Sequence, residues 1–151
     1  MLITNGIDKI SIGFTRRACD SPVEARRTDL IDPRNAVEID FGFSGENIGC
    51  GLVLDEYVWT RDIRALATGF CAVLKGAREE FACSGDFAYK NMSQEPFFTF
   101  EIRRDDTNIT VGLTIFDGMY EHIAVNEVMD MERFETVANE LKAAAKNFPV
   151  L

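Results

Sequence analysis

A single histidine, His122, limits the catalytic chemistry that this sequence can support. A Ser-His-Asp or Cys-His system would depend on that one imidazole, and no G-x-S-x-G nucleophile elbow accompanies it. Ser84 lies in the run C-S-G-D, which lacks that frame. Because His122 falls within a predicted strand, we interpret it as a residue of a sheet face rather than a general base.

The four cysteines form no recognisable metal or redox motif. They are Cys19, Cys50, Cys71 and Cys83, with no C-x-x-C pair and no neighbouring histidine that would complete a zinc site. The first 17 residues contain Asp8 and alternating polar residues, unlike a signal peptide, so we expect a cytoplasmic protein with reduced cysteines. No run approaches 18 apolar residues, so we expect no membrane-spanning helix, and no cofactor or metal is indicated.

Carboxylate pairs and glycines are frequent but do not fall in catalytic patterns. The acidic groups are Asp55-Glu56, Glu79-Glu80, Asp105-Asp106, and Asp130 with Glu132 and Glu135. A hydrolase needs two carboxylates in different environments, whereas adjacent acids on turns and helix ends share water. The glycines of segment 42–51 lie in a predicted hairpin and open no helix, so they lack the cradle of amide groups that binds phosphate. We therefore predict that the protein is not an enzyme.

The run Asp55-Glu56-Tyr57-Val58-Trp59 is the strongest local candidate for a binding site. It joins two carboxylates to the only tryptophan, just before a predicted helix. Aromatic anchors surrounded by charge are typical of interface hot spots. The alternative is that Trp59 packs as a hydrophobic staple at the helix start. We take Asp55, Glu56 and Trp59 as candidate partner-binding residues.

The acidic charge of the chain bears on its partners. The net charge is −9, and residues 76–151 hold 7 basic and 14 acidic side chains, against 9 and 11 in residues 1–75. Nucleic-acid binding depends on clustered Lys and Arg, so the balance argues against nucleic acid and favours a basic protein. The alternative is that the acidity only keeps the protein soluble.

Hydrophobic periodicity predicts a succession of antiparallel strands. Alternation of apolar residues from Val37 to Phe43, followed by a turn at 44–47, predicts a hairpin over 36–56. Further strands are predicted at about 80–89, 97–104, 108–116 and 119–127. Short connections between the later strands favour a meander. The face opposite the core would carry Thr99, Glu101, Arg103, Thr110 and Thr114.

Two amphipathic helices complete the predicted fold. Apolar residues spaced three or four apart predict helices over residues 60–75 and 131–146, with Thr60 and Asp130 as N-caps and Gly76 as a stop. We predict one α+β domain over residues 1–151, with an antiparallel sheet of about six or seven strands and both helices on one face. The segment 16–35, rich in arginine and interrupted by Pro22 and Pro33, is predicted to be less regular.

The layout from Val37 onward resembles that of the WapI-family immunity proteins, which neutralise bacterial polymorphic toxins. The matching features are the hairpin, Tyr57-Val58-Trp59 leading into the helix that ends at Gly76, and a Glu95-Pro96 step before an aromatic strand. A final helix ending in Asn147-Phe148-Pro149 completes the likeness. It covers about three-quarters of the chain and leaves segment 16–35 unmatched.

The resemblance implies a non-enzymatic protein whose partner is a cognate protein toxin. It transfers no specific contact residues, because immunity proteins of one family face different toxins. The acidic balance fits a basic nuclease toxin, which complementary charge would steer into place. Two alternatives stay open: a protein-interaction module that uses the open sheet face, and a small-molecule-binding domain or enzyme. The sequence leaves the oligomeric state undetermined and indicates no membrane or nucleic-acid partner.

Overall fold

The computed structural model describes residues 2–5, 9–17, 33–46, 49–85, 98–117 and 120–151. It contains eight strands, two α-helices and a 3₁₀ turn at Pro33–Asn35 within these ranges. In chain order the elements are β1 Leu2–Asn5, β2 Lys9–Arg17, β3 Ala36–Gly45, β4 Gly49–Trp59, α1 Thr60–Leu74, β5 Glu80–Gly85, β6 Phe98–Arg104, β7 Asn108–Asp117, β8 Tyr120–Asp130 and α2 Met131–Asn147.

The strands form two antiparallel meanders of four strands each. The N-terminal sheet has the order β1-β2-β3-β4 and the C-terminal sheet the order β5-β6-β7-β8. The predicted α+β class with antiparallel pairing is confirmed. The division into two sheets differs from the single sheet predicted, because apolar alternation marks strands but does not say which of them share hydrogen bonds. Each half of the chain thus runs through four strands into one helix.

Both helices cover the inner face of the C-terminal sheet, as predicted. Helix α1 packs on β5 and β6, α2 packs on β7 and β8, and the helices also contact each other. The approach of α1 to β5 is close at Gly69, where an added Cβ would collide with the ring of Phe81. Within the described ranges, neither helix is long and apolar enough to cross a membrane.

A chain of aromatic contacts runs through the core and links both sheets to both helices. Phe41 of the N-terminal sheet lies 6.3 Å from Phe98, between ring centroids, and Phe98 lies 5.8 Å from Phe100. Phe100 meets Phe70 of α1 edge to face at 5.7 Å, and Phe70 stacks on Phe134 of α2 at 5.2 Å. Buried residues of both halves therefore belong to one hydrophobic cluster.

Helix α1 ends in a Schellman motif at Gly76, as the glycine predicted. Gly76 has φ of +70°, its amide donates to Val73 O at 3.0 Å, and the amide of Ala77 donates to Ala72 O at 2.9 Å. Arg104 of β6 adds a second cap. Its Nη1 donates to the carbonyl oxygens of Val73 and Leu74 at 2.7 and 2.8 Å. A side chain of the sheet thereby fixes the end of the helix.

We expect Arg104→Met to lower the free energy of unfolding by about 1.5–3 kcal/mol, because a charged donor to two carbonyl groups is lost. Arg103→Met is the matched control on the same strand. Its guanidinium pairs with Glu80 at 3.0 Å, but both side chains are about two-thirds exposed, so its loss should cost under about 1 kcal/mol. Urea unfolding of the two variants checks the difference. Equal losses would show that Arg104 does not cap α1.

The beginning of α1 differs by one residue from the prediction that Thr60 caps it. Strand β4 continues directly to Trp59, which occupies the N-cap position without a side-chain hydrogen bond. Thr60 is instead the first helical residue, and its buried hydroxyl donates to Asn35 Oδ1 at 3.1 Å. The same oxygen accepts the amide of Leu151 at 2.8 Å. The predicted cap of α2 is confirmed, since Asp130 Oδ1 accepts the amide of Arg133 at 2.8 Å.

Candidate functional site

The outer face of the C-terminal sheet presents short and polar side chains in three rows across four strands. The strand register places them opposite one another, and all are exposed or half-buried. The rows are Glu80-Arg103-Thr110-Val128, Ala82-Glu101-Gly112-Asn126 and Ser84-Thr99-Thr114-Ala124. We call these twelve residues the open face. It includes the five residues that the sequence predicted on the side away from the core.

The open face is made by the alternation of each strand. In β6, Phe98, Phe100 and Ile102 are buried under the helices, whereas Glu101 and Arg103 are exposed on the other side. The same period-2 pattern holds along β7, where Thr110, Gly112 and Thr114 alternate with buried apolar residues. An antiparallel sheet with helices on one side leaves its second side to solvent or to a partner.

A shallow groove of about 680 Å³ runs over the open face. Ala82 and Gly112 line it in the middle row, and the side-chain oxygen of Asn126 lies over Gly112, where an added Cβ would be 2.9 Å from it. Glu80, Glu101 and Arg103 supply charge, and Thr110 and Asn126 supply hydrogen-bonding groups. The exposed ion pair between Arg103 and Glu80 contributes at most about 1 kcal/mol to stability, so both groups are available to a ligand at little cost.

The described side chains of the groove are charged, polar and apolar groups without a histidine or cysteine among them. The acids, Glu80, Glu101 and Asp105, are all exposed and so share a solvated environment. Among the described residues, no three His, Cys, Asp or Glu side chains come close enough to hold a metal ion. The open face therefore offers dispersed hydrogen-bond donors and acceptors with one large exposed apolar side chain, Val128, which is 63% exposed.

The predicted partner-binding residues lie in β4 of the N-terminal sheet, whereas the open face belongs to the C-terminal sheet. Asp55 and Glu56 fall within β4, where Glu56 pairs in register with Ile39. Their side chains lie outside the part of the chain that the structure describes, so their role stays a prediction. Trp59 is 6% exposed, and the guanidinium of Arg61 lies 5.9 Å from its ring centroid. This burial favours the packing interpretation of Trp59 over that of an exposed anchor.

Glu38 is a buried carboxylate on β3, between the apolar residues Val37 and Ile39. It is 8% exposed and accepts hydrogen bonds from Thr15 Oγ1 at 3.0 Å and Arg16 Nε at 2.7 Å. Both donors belong to β2, so the cluster joins neighbouring strands. The nearby arginines were visible in the sequence, but their pairing with Glu38 depends on the β2–β3 register. We interpret the cluster as structural.

The thiol of Cys83 is poorly suited to act as a nucleophile. It lies on β5 with a half-buried side chain. Burial, together with the nearby Asp62 carboxylate, raises the pKa of the Cys83 thiol above its ordinary value of 9.0. A thiol reacts as its thiolate, so the higher pKa keeps Cys83 protonated at neutral pH. His122 lies in β8, and its side chain lies outside the described residues.

We expect the shifted pKa of Cys83 to make stability fall as pH rises past 9. The unfolded thiol ionises first, so the folded state holds more protons above this pH, and the free energy of unfolding decreases. Urea unfolding at pH 8 and pH 10 measures this, with Cys83→Ala as the reference. The stability of the wild type relative to Cys83→Ala should be greater at pH 8 than at pH 10. An unchanged difference would contradict the pKa shift.

Comparison of the chain with protein-family models, with curated protein sequences and with solved structures gave no match.

Proposed function

We propose that this protein is a non-enzymatic binding protein that docks a partner protein on its open face. The observation that carries the proposal is the contrast between the two sides of the C-terminal sheet. Both helices cover one side, while the described residues leave the other side bare over three rows and four strands. A broad, polar and shallow surface suits a folded protein better than a small molecule, which binds in concave, mostly apolar pockets.

The proposed partner is a bacterial protein toxin, and the proposed role is immunity. The support for this step is the resemblance to WapI-family immunity proteins together with the acidic charge, which would attract a basic toxin such as a nuclease. A general protein-interaction module is the second candidate, since it would use the same face. A small-molecule-binding domain has less support, because the groove is shallow and only part of its lining is apolar.

A growth assay tests the proposed function. The proposed role predicts that a toxin domain is encoded directly upstream of this gene. Its expression should arrest bacterial growth, and co-expression of this protein should restore it. The purified proteins should also form a stable complex in size-exclusion chromatography. An immunity role is contradicted if the upstream product is not toxic, or if this protein does not relieve its toxicity.

A non-enzymatic mechanism also predicts the ratio of this protein to the toxin that rescue requires. Rescue should require at least one molecule of this protein for each toxin molecule, because inhibition is by stoichiometric binding. Titration of purified toxin activity against this protein checks the ratio. Inactivation of the toxin by a small fraction of an equivalent would indicate turnover, and His122→Ala would then be the first variant to test.

A further inference from the structure

The first strand of the C-terminal sheet, β5, has a free backbone edge among the described residues. Among the described strands, β6 is the one neighbour of β5. In an antiparallel ladder, alternate residues direct both backbone groups to the neighbouring strand. The amide of Arg104 donates to Glu79 O at 2.8 Å, which places position 79 in the set that bonds to β6. Phe81 and Cys83 follow in that set by the register.

The backbone groups of Glu80, Ala82 and Ser84 therefore point away from β6. They offer three amide donors and three carbonyl acceptors along the edge, and no described strand pairs with them. An extended segment of another chain can satisfy such groups by adding a strand to the sheet, which is an established mode of peptide recognition.

Grooves flank this edge on both sides of the sheet. The groove of the open face lies on one side, and a second groove of about 460 Å³ lies on the other, against α1. Arg78 and Phe81 line both grooves, so the two meet at β5. Successive side chains of a strand point to opposite faces. An added strand would thus place alternate side chains in the two grooves.

The groove against α1 carries concentrated positive charge. Arg61, Arg64 and Arg78 line it, and no carboxylate is among its described lining residues. Arg61 is paired with Asp62 at 3.7 Å, so Arg64 and Arg78 supply the available charge. Its floor includes the small side chains of Ala65 and Ala72, which leave room for another chain. Arg64 and Arg78 make no ion pair with any described residue. In a protein of net charge −9, this local group of arginines selects an acidic ligand.

We propose that the free edge of β5 binds an extended acidic segment of the partner protein as an added β-strand, with carboxylates facing Arg64 and Arg78. This inference rests on the proposed function in requiring a protein partner, and it specifies the segment of that partner. A second copy of this chain fits less well, because antiparallel pairing of two β5 edges would bring the arginine grooves of both copies together.

Two fluorescein-labelled ten-residue peptides test the proposal by fluorescence anisotropy. One alternates glutamate with threonine, and the other alternates lysine with threonine. The glutamate peptide should bind at least tenfold more tightly than the lysine peptide. Equal binding of both peptides, or no binding of the glutamate peptide at millimolar concentration, would overturn the proposal.

Two variants separate the backbone edge from the arginines. Ala82→Pro removes one outward amide donor and leaves the ladder to β6 intact, since proline is tolerated on edge strands. Arg64→Glu with Arg78→Glu reverses the exposed charge and does not depend on the edge. Each should weaken binding of the glutamate peptide at least tenfold. The controls Ala82→Ser and Lys142→Glu should stay within twofold of wild type, and a loss no greater in the variants than in these controls would refute the proposal.

The growth assay distinguishes this inference from the proposed function. If the wild type rescues growth but binds neither peptide, the proposed function stands and the edge proposal falls. If the glutamate peptide binds as expected but growth is not rescued, the proposed immunity role is contradicted. Sedimentation velocity tests whether a second copy of this chain occupies the β5 edge instead. A dimer that Ala82→Pro converts to monomer would overturn the proposal in favour of a second copy.

Discussion

Phe70→Ala is expected to lower the free energy of unfolding by about 3–5 kcal/mol. Phe70 is fully buried and contacts aromatic rings from two other elements, stacking on Phe134 and meeting Phe100 edge to face. Its truncation removes the central ring of the aromatic chain that joins α1, α2 and the C-terminal sheet. The lost transfer free energy and the residual cavity both contribute to the cost.

Urea unfolding followed by circular dichroism measures this loss, with Phe70→Leu as the control that keeps most of the volume. The leucine variant should retain more than half of the stability that alanine loses. A loss below about 1 kcal/mol for Phe70→Ala would show that the aromatic chain does not hold the helices to the sheet.

Ala82→Arg is expected to weaken binding of the toxin domain by about 100-fold or more, which corresponds to about 2.7 kcal/mol. Ala82 is exposed in the middle row of the open face, beside Glu101 in the register. A long charged side chain there would fill the groove and prevent close packing of a partner. Because Ala82 is exposed, the substitution should leave the folded state intact. Isothermal titration calorimetry measures the affinity.

Ala143→Arg is the matched control, since Ala143 is equally exposed but lies on α2. Its affinity should remain within twofold of wild type. Charge reversal of Asp55 and Glu56 to Lys tests the other predicted surface, and should slow association at low salt if that surface steers the toxin. A normal affinity for Ala82→Arg, together with slow association of the Asp55 and Glu56 variant, would move the site to the N-terminal sheet.

The secondary structure was largely predictable because the chain follows simple periodicities. The alternation from Val37 to Phe43 and the helical stripe that contains Phe70 each specify one buried face, and the structure buries those faces. Element ends were less predictable. Strand β4 continues through Trp59 and passes into α1 without a loop, so the helix cap falls one residue earlier than Thr60. Local patterns mark a change of period but not the residue at which it occurs.

The candidate site was predictable only in part. The polar side of β6 and β7 follows from alternation, so Glu101 and Thr110 could be assigned to the open face before the structure was known. The free edge of β5 and the groove lined by Arg61, Arg64 and Arg78 could not be assigned from the sequence. They depend on strand order and on where α1 crosses the sheet. Arg64 and Arg78 are 14 positions apart in sequence and line the same groove because of that crossing. Glu38 likewise owes its burial to the strand register.

Cross-saturation from an unlabelled toxin domain to this protein, observed through its backbone amides by NMR, would locate the docking surface. The amide signals of Ala82, Glu101, Gly112 and Asn126 should lose intensity, because these residues occupy the middle row of the open face. Signals from the exposed side of α2, such as those of Ala143, should keep their intensity. Saturation confined to β4 or to α2, with the open face unaffected, would rule out docking on the open face.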